Sequence, residues 1–115
     1  MDLKITRGDT IKYVLELKTK NNVDVEISNV NSIFLTVKEN FKNTEYLFQK
    51  KLSDGISLGD DKKYHITIDS EDTDNLSFGT YYYDIQINFN NNEKYTVVKG
   101  NFIVDYEVTD VRSEL

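Results

Sequence analysis

Apolar and polar residues alternate along most of this chain, and no stretch carries the 3.6-residue spacing of an amphipathic helix. The longest alternating stretch is Gly79–Phe89. Because successive side chains of a strand point to opposite faces, it predicts a central strand with Tyr81, Tyr83 and Ile85 facing a core. The same alternation sends Tyr82 to the outer face.

Two further segments predict antiparallel hairpins. Residues 94–106 follow a polar turn and pair back on Gly79–Phe89, while residues 46–52 pair back on the alternating segment 33–37. The side-chain parity changes within the last strand. Since Gly within a strand often marks a bulge, we expect one near Lys99 and Gly100.

The whole chain gives seven to nine short strands, separated by turns rich in Asn, Asp and Gly. This spacing is typical of a sandwich. The fold we predict is all-β, an immunoglobulin-like antiparallel β-sandwich that forms a single domain over residues 1–115. In such sandwiches a Tyr entering the penultimate strand hydrogen-bonds to upstream backbone. Tyr81, just after Gly79, is the candidate for this role, and the alternative is that it is one more core aromatic.

Composition supports the β assignment. Val, Ile and Thr together supply 30 of the 115 residues, with eight Tyr and six Phe, and neither Ala nor Pro occurs. β-Branched and aromatic side chains favour strands, and Ala is the strongest helix former.

Charge and residue counts exclude several kinds of chemistry. A net charge of −6 argues against binding to a phosphate backbone. Without Cys, and with His65 as the single His, disulfides, thiolate sites and multi-histidine metal sites are excluded. We therefore expect no enzyme activity, catalytic residue, cofactor, metal, nucleic acid or small-molecule substrate.

An acidic segment contains Asp69, Glu71, Asp72 and Asp74. It lacks the carboxylate spacing and turn Gly of a calcium loop, so it is interpreted as a solvated helical turn capped by Asp69 or Ser70. The first residues lack the apolar core of a signal peptide, and no apolar run reaches the ~18 residues needed to span a bilayer. The chain is expected to be made in a cytoplasm and to have no membrane partner.

Six short segments, taken in their order along the chain, indicate a resemblance to a known protein family. They are Arg7-Gly8-Asp9-Thr10, Val23-Asp24-Val25, Asp72-Thr73-Asp74-Asn75-Leu76, Gly79-Thr80-Tyr81-Tyr82-Tyr83-Asp84-Ile85, Val97-Val98-Lys99-Gly100-Asn101-Phe102 and Glu107-Val108-Thr109. In this order the chain resembles small immunoglobulin-like β-sandwich modules of tailed-phage and prophage structural proteins. It is similar to the N-terminal modules of upper-baseplate and receptor-binding proteins.

The resemblance implies a structural virion protein, made in the bacterial host cytoplasm, that docks on other virion subunits in several symmetric copies. Family members are often the first module of a longer protein, whereas this chain ends at Leu115. That difference favours an accessory subunit, either a capsid decoration or neck protein or a tail or baseplate adaptor.

Five residues are candidates for the docking contacts. Tyr82 is one, because an exposed Tyr brings a large contact area at low entropic cost. The alternative for Tyr82 is that it only decorates the outer face of the sheet. The others are apolar residues near the chain ends, Leu3 and Ile5 before the first turn and Val108 and Val111 after the last strand. The alternative for these four is that both ends pack on their own domain.

Two other function classes remain as alternatives. A carbohydrate-binding module for host-surface attachment would need a flat patch of exposed aromatic residues, for which Tyr82, Phe34, Phe41 and Tyr46 are the candidates. A small hydrolase would need a polar cluster in a cleft, and a lone His gives it little support.

Overall fold

The computed structural model describes residues 1–18 and 21–106, and this part of the chain contains eight strands and two short helical segments. The strands are β1 (Leu3–Thr6), β2 (Ile11–Leu15), β3 (Val30–Lys38), β4 (Phe48–Leu52), β5 (Gly55–Leu58), β6 (Tyr64–Ile68), β7 (Gly79–Phe89) and β8 (Lys94–Asp105). A 3-10 turn covers Ile27–Asn29, and α1 covers Ser70–Asp74. The all-β prediction is confirmed.

All eight strands belong to one mixed sheet in the order β1-β8-β7-β3-β4-β5-β6-β2. Neighbours are antiparallel except β1 with β8 and β4 with β5. The β4–β5 pairing covers only two register pairs and is purely local, because just Ser53 and Asp54 separate the two strands. In effect β4 and β5 act as one strand that bends at Ser53 and Asp54. Its first part, β4, pairs with β3, and its second part, β5, pairs with β6. The sheet therefore continues through this corner, and an arrangement as two separate antiparallel sheets is not confirmed.

The corner divides the sheet into two halves, β1-β8-β7-β3-β4 and β5-β6-β2. The inner faces of both halves share one hydrophobic core. Buried residues alternate with more exposed ones in β3, β6 and β7, as period-2 patterning requires. The buried apolar residues are Leu3, Ile5, Ile33, Leu35, Val37, Phe48, Ile56, Tyr64, Ile66, Ile68, Tyr83, Ile85, Ile87, Phe102 and Val104. The core face predicted for β7 is confirmed, with Tyr81 partly buried at its margin.

Both predicted hairpins are present, since β3 pairs with β4 and β7 with β8 in antiparallel registers. The expected bulge is displaced. Ile85 lies opposite Val98 and Gln86 opposite Thr96, so the extra residue in β8 is Val97. The predicted bulge in β8 is therefore present, but it lies two residues before Lys99, and Gly100 has a different role.

Gly100 lies in regular register opposite Tyr83 and makes room for the N-terminus. A Cβ at this position would overlap the carbonyl oxygen of Met1. The same carbonyl accepts a hydrogen bond from the Tyr83 hydroxyl at 2.6 Å, and the Met1 amino group donates to the Lys99 carbonyl at 3.1 Å. The start of the chain is thus fixed against the side of β8.

The expectation that Leu3 and Ile5 await a neighbouring subunit is wrong. β1 pairs in parallel with β8, and Leu3 and Ile5 are only 6% and 1% exposed in the core. Their own domain covers them, which is the alternative considered for the chain ends. Val108 and Val111 lie outside the described residues.

Candidate functional site

The outer face of β3, β7 and β8 carries the side chains that point away from the core. Two rows of register partners cross it, Lys38–Tyr82–Asn101 and Thr36–Asp84–Lys99. Tyr82 lies on this face, half-buried, as its parity in the strand predicts.

Phe41 leans on Tyr82 from the connection between β3 and β4. The two ring centroids are 5.5 Å apart and the ring planes meet at 87°, an edge-to-face contact. Phe41 itself remains 65% exposed. The aromatic pair closes one side of a shallow groove of about 340 Å³ that lies over the two rows.

The turn that carries Phe41 is held by polar contacts of its own. The backbone N–H groups of Lys42 and Asn43 donate to the side-chain and backbone oxygens of Asn40, at 3.0 and 2.9 Å. The Lys38 ammonium donates to the Asn43 carbonyl at 2.7 Å, which ties the turn to β3. These contacts position an exposed aromatic ring without burying it.

The groove is amphipathic. Lys38, Asp84 and Lys99 contribute two cations and one carboxylate to its lining, around the apolar surface of Phe41 and Tyr82. Such a surface can receive an apolar side chain of another molecule, while the charged residues contact polar groups around it.

The four aromatic residues considered for a carbohydrate platform do not form one flat patch. Phe41 and Tyr82 are nearly perpendicular. Phe34 lies further along β3, opposite Gln86, and the exposed Tyr46 lies in the β3–β4 connection. Within the described part of the chain, neither of the last two makes a ring contact with the Phe41–Tyr82 pair.

Two of the residues predicted to be structural, Gly79 and Tyr81, lie at the start of β7. The Tyr81 hydroxyl donates to the Ser77 carbonyl at 2.7 Å, the upstream backbone bond expected of a corner Tyr. Burial, followed by the charge of Glu39, raises the pKa of Tyr81. Gly79 begins the strand at φ 148° in an exposed position, and Ile85 is buried further along.

The acidic segment is more than a solvated turn. Asp69 caps α1, and its backbone N–H donates to the Asp72 carboxylate at 2.7 Å, which completes a capping box. Asp72 also forms a 2.7 Å ion pair with Lys50, whose side chain is almost fully buried, and Asp69 lies 3.4 Å from the same ammonium. Burial alone lowers the pKa of Lys50, but the two carboxylates outweigh it, so the pKa lies above its ordinary value.

Sequence reasoning missed this buried cation, although a signal was present. Lys50 shares its parity in β4 with Phe48 and Leu52, which places it on the inner face. Its side chain crosses Gly55, where a Cβ would lie 2.5 Å from Lys50 Cδ. The pairing joins β4 to the helix that follows β6 and holds the corner between the two halves of the sheet.

His65 lies on the outer face of β6, as its parity indicates, and its Nε2 is 3.0 Å from a carboxylate oxygen of Asp61. The hydrogen bond from His65 lowers the pKa of Asp61. Among residues 1–18 and 21–106, no three His, Cys, Asp or Glu side chains are grouped to hold a metal ion. No helix in the same ranges is long and apolar enough to cross a membrane.

A scan against protein-family models finds no match, and a search of curated proteins finds no similar sequence.

Proposed function

We propose that this protein is a non-enzymatic structural subunit of a bacteriophage or prophage-derived particle and docks on other virion proteins through the groove around Tyr82. The observation that carries the docking role is the Phe41–Tyr82 pair on the outer face of the sheet, in which Phe41 is 65% exposed and Tyr82 is half-buried. The family resemblance supports the particle to which it belongs.

Keeping the Phe41 ring exposed at the surface costs the fold stability. An aromatic ring held at the surface gives up contact area that burial would turn into stability. At an interface the same ring supplies a large, nearly rigid contact, and aromatic residues are accordingly enriched at the centres of interfaces. The polar contacts around Asn40 fix Phe41 in position before any partner arrives, which lowers the ordering cost of association.

The partners under this proposal are other virion proteins, met in several symmetric copies, with no nucleic acid, membrane or small-molecule substrate. The protein is an accessory subunit, as a capsid decoration or neck protein or as a tail or baseplate adaptor. Its final location is the assembled particle.

The test is incorporation into particles. Particles produced by the phage or prophage that encodes the gene are purified and the protein is quantified by mass spectrometry. We expect a fixed number of copies per particle for the native chain, and loss of most of this incorporation when Tyr82→Ala and Phe41→Ala are combined.

Tyr95→Ala is the matched control, because Tyr95 is also half-exposed but lies near the end of the β7–β8 hairpin, against Phe89. It should leave incorporation unchanged. Absence of the native protein from purified particles would contradict the particle assignment. Normal incorporation of the folded double variant would contradict the docking face.

A further inference from the structure

The free side of β2 is an open strand edge. β2 ends the sheet and pairs only with β6 among the described strands. That pairing runs without a register shift over all five residues of Ile11–Leu15. The strand also contains neither Pro nor Gly. Bulges, Pro and covering elements protect many strand edges from another strand, and within the described residues β2 has none of them. Its edge is guarded only by its short length and by the exposed charge of Lys12.

The core is incompletely covered at this edge. Ile11, Tyr13, Leu15 and Leu17 pack against the core but stay partly exposed. On the opposite face, Val14 is 57% exposed. A strand added beside β2 would bury more of both rows, since directly opposite side chains on neighbouring strands contact each other.

The side chains of residues 12–16, a segment that extends one residue beyond β2, are complementary to their own reversed sequence. We propose that two copies of this chain associate by antiparallel pairing of β2 with β2, with Val14 on the two-fold axis. In this register Lys12 lies opposite Glu16 of the second copy, and the symmetry repeats the pair. Tyr13 lies opposite Leu15 on the inner face, and Val14 meets Val14 on the outer face. Such an isologous contact closes as a dimer.

Neighbouring registers lack this complementarity. A shift of the pairing by one residue would set inner side chains opposite outer ones. A two-fold axis at Tyr13 would place Lys12 opposite Val14. An axis at Leu15 would place Lys12 opposite Lys18, a like-charge pair that opposes association. Among the axes at Tyr13, Val14 and Leu15, only the axis at Val14 places residues of opposite charge across from each other.

Both charged residues are available for the pairing. Lys12 is exposed and forms no ion pair with another residue in the ranges that the structure describes. Glu16 accepts a 2.7 Å contact from Lys63 of its own copy. A carboxylate has two oxygens and about four acceptor positions, so Glu16 can receive Lys12 of the second copy as well.

This association is separate from the proposed docking role. It uses the β2 edge, whereas docking uses the outer face of β3, β7 and β8. If no dimer forms, the proposed docking through the groove around Tyr82 is unaffected. A chain that fails to enter particles could still form the dimer.

The experiment uses two charge-reversed variants of the full chain, Lys12→Glu and Glu16→Lys. Each variant alone places like charges opposite each other twice, so its self-association should weaken by ~10-fold or more. Mixed in equal amounts, the two variants restore both opposite-charge pairs. We therefore expect the mixture to associate within ~3-fold of the native chain, measured by sedimentation from ~1 μM to ~1 mM.

Lys51→Glu is the matched control, because it reverses an exposed Lys on β4 and should leave association unchanged. Native-state hydrogen exchange supplies a second measurement, since β2 amides should gain protection as protein concentration rises. A native chain that stays monomeric throughout would overturn the proposal. So would a mixture no tighter than the separate variants, or a dimer without concentration-dependent protection in β2.

Discussion

The two ends of the sheet are built differently. At one end, β1 lies against the long strand β8, with Ile5 fully buried and the N-terminus held by Tyr83 and Lys99. At the other end, β2 is five residues long and its inner side chains are only partly covered. Both terminal strands have an unpaired outer edge among the described residues, but β1 is only four residues long. One end closes the core and the other leaves part of it to be covered.

This difference separates stability from association. The exposed part of β8 that β1 does not cover carries a bulge at Val97, which disturbs further pairing. β2 has a regular ladder and a self-complementary sequence instead. Substitutions at the β1–β8 end should therefore destabilise the fold, whereas substitutions on the outer face of β2 should change how molecules associate.

The largest expected effect comes from the same truncation made at both ends. Ile5→Ala removes a side chain that is 1% exposed and should cost ~2–5 kcal/mol of unfolding free energy, the usual range for a buried Ile. Ile11→Ala, in the partly covered row of β2, should cost only about 1 kcal/mol. Chemical denaturation measures both values at a protein concentration where the native chain is monomeric. Equal losses would contradict the contrast between the ends.

Much of the fold could be predicted because its signals are local. Alternation predicts which side chains of β7 face the core, and turn residues predict both hairpins. The pairing of β1 with β8 could not be predicted from the sequence. Met1 and Lys99 lie at nearly opposite ends of the chain, and the pattern of a four-residue strand does not indicate which strand it pairs with in parallel. The bulge predicted near Gly100 lies elsewhere, because the sequence does not distinguish a Gly that bends a strand from one that leaves room for another backbone.

The candidate site was predictable to a similar extent. Parity placed Tyr82 outward, but its contact with Phe41 depends on the conformation of a polar turn, which has no periodic signal. Lys50 had the inner parity of β4, yet a buried cation requires a partner, and Asp72 is distant in sequence. Patterning indicates which face a residue occupies and not which residue meets it there.

The next effect concerns the pairing that joins the two halves of the sheet. Lys50→Met keeps an apolar stem over Gly55 but leaves Asp72 without its cation. We expect a loss of ~2–4 kcal/mol, slightly below the range for a fully buried pair, because Asp72 retains some exposure. Lys63→Met, which removes an exposed pair with Glu16, is the control and should cost under ~1 kcal/mol.

The pH dependence of the same variant follows from the raised pKa of Lys50. Because the folded-state pKa exceeds the unfolded value of ~10.4, the ion pair contributes fully below that pH. Its contribution is lost as the pH rises through the folded-state pKa. The stability difference between native chain and Lys50→Met should therefore shrink above pH ~10.4. A difference that grows with pH would contradict the assignment.

A smaller effect is expected from Gly100→Ala. The added methyl would displace the carbonyl of Met1 and the bond that it accepts from Tyr83. Because the N-terminus can move aside, the cost should be ~1–3 kcal/mol, the range for overpacking. Hydrogen exchange should show loss of protection in β1 while β2 and β6 are unchanged. Unchanged protection in β1 would mean that Gly100 is not needed to seat the N-terminus.

The smallest expected effect on stability is also the sharpest test of the open end. Val14→Lys changes a residue on the outer face of β2 that is 57% exposed, so the free energy of unfolding of the monomer should move by less than ~0.5 kcal/mol. In the β2–β2 register it places two Lys against each other at the axis, and self-association should be lost. Val97→Lys, at a 44% exposed position in the bulge of β8, is the matched control and should keep the association. Sedimentation and denaturation of the two variants, run side by side, measure both quantities. If Val97→Lys abolished association and Val14→Lys preserved it, the open end of the sheet would have to be assigned to β8, and the contrast between the two ends would be reversed.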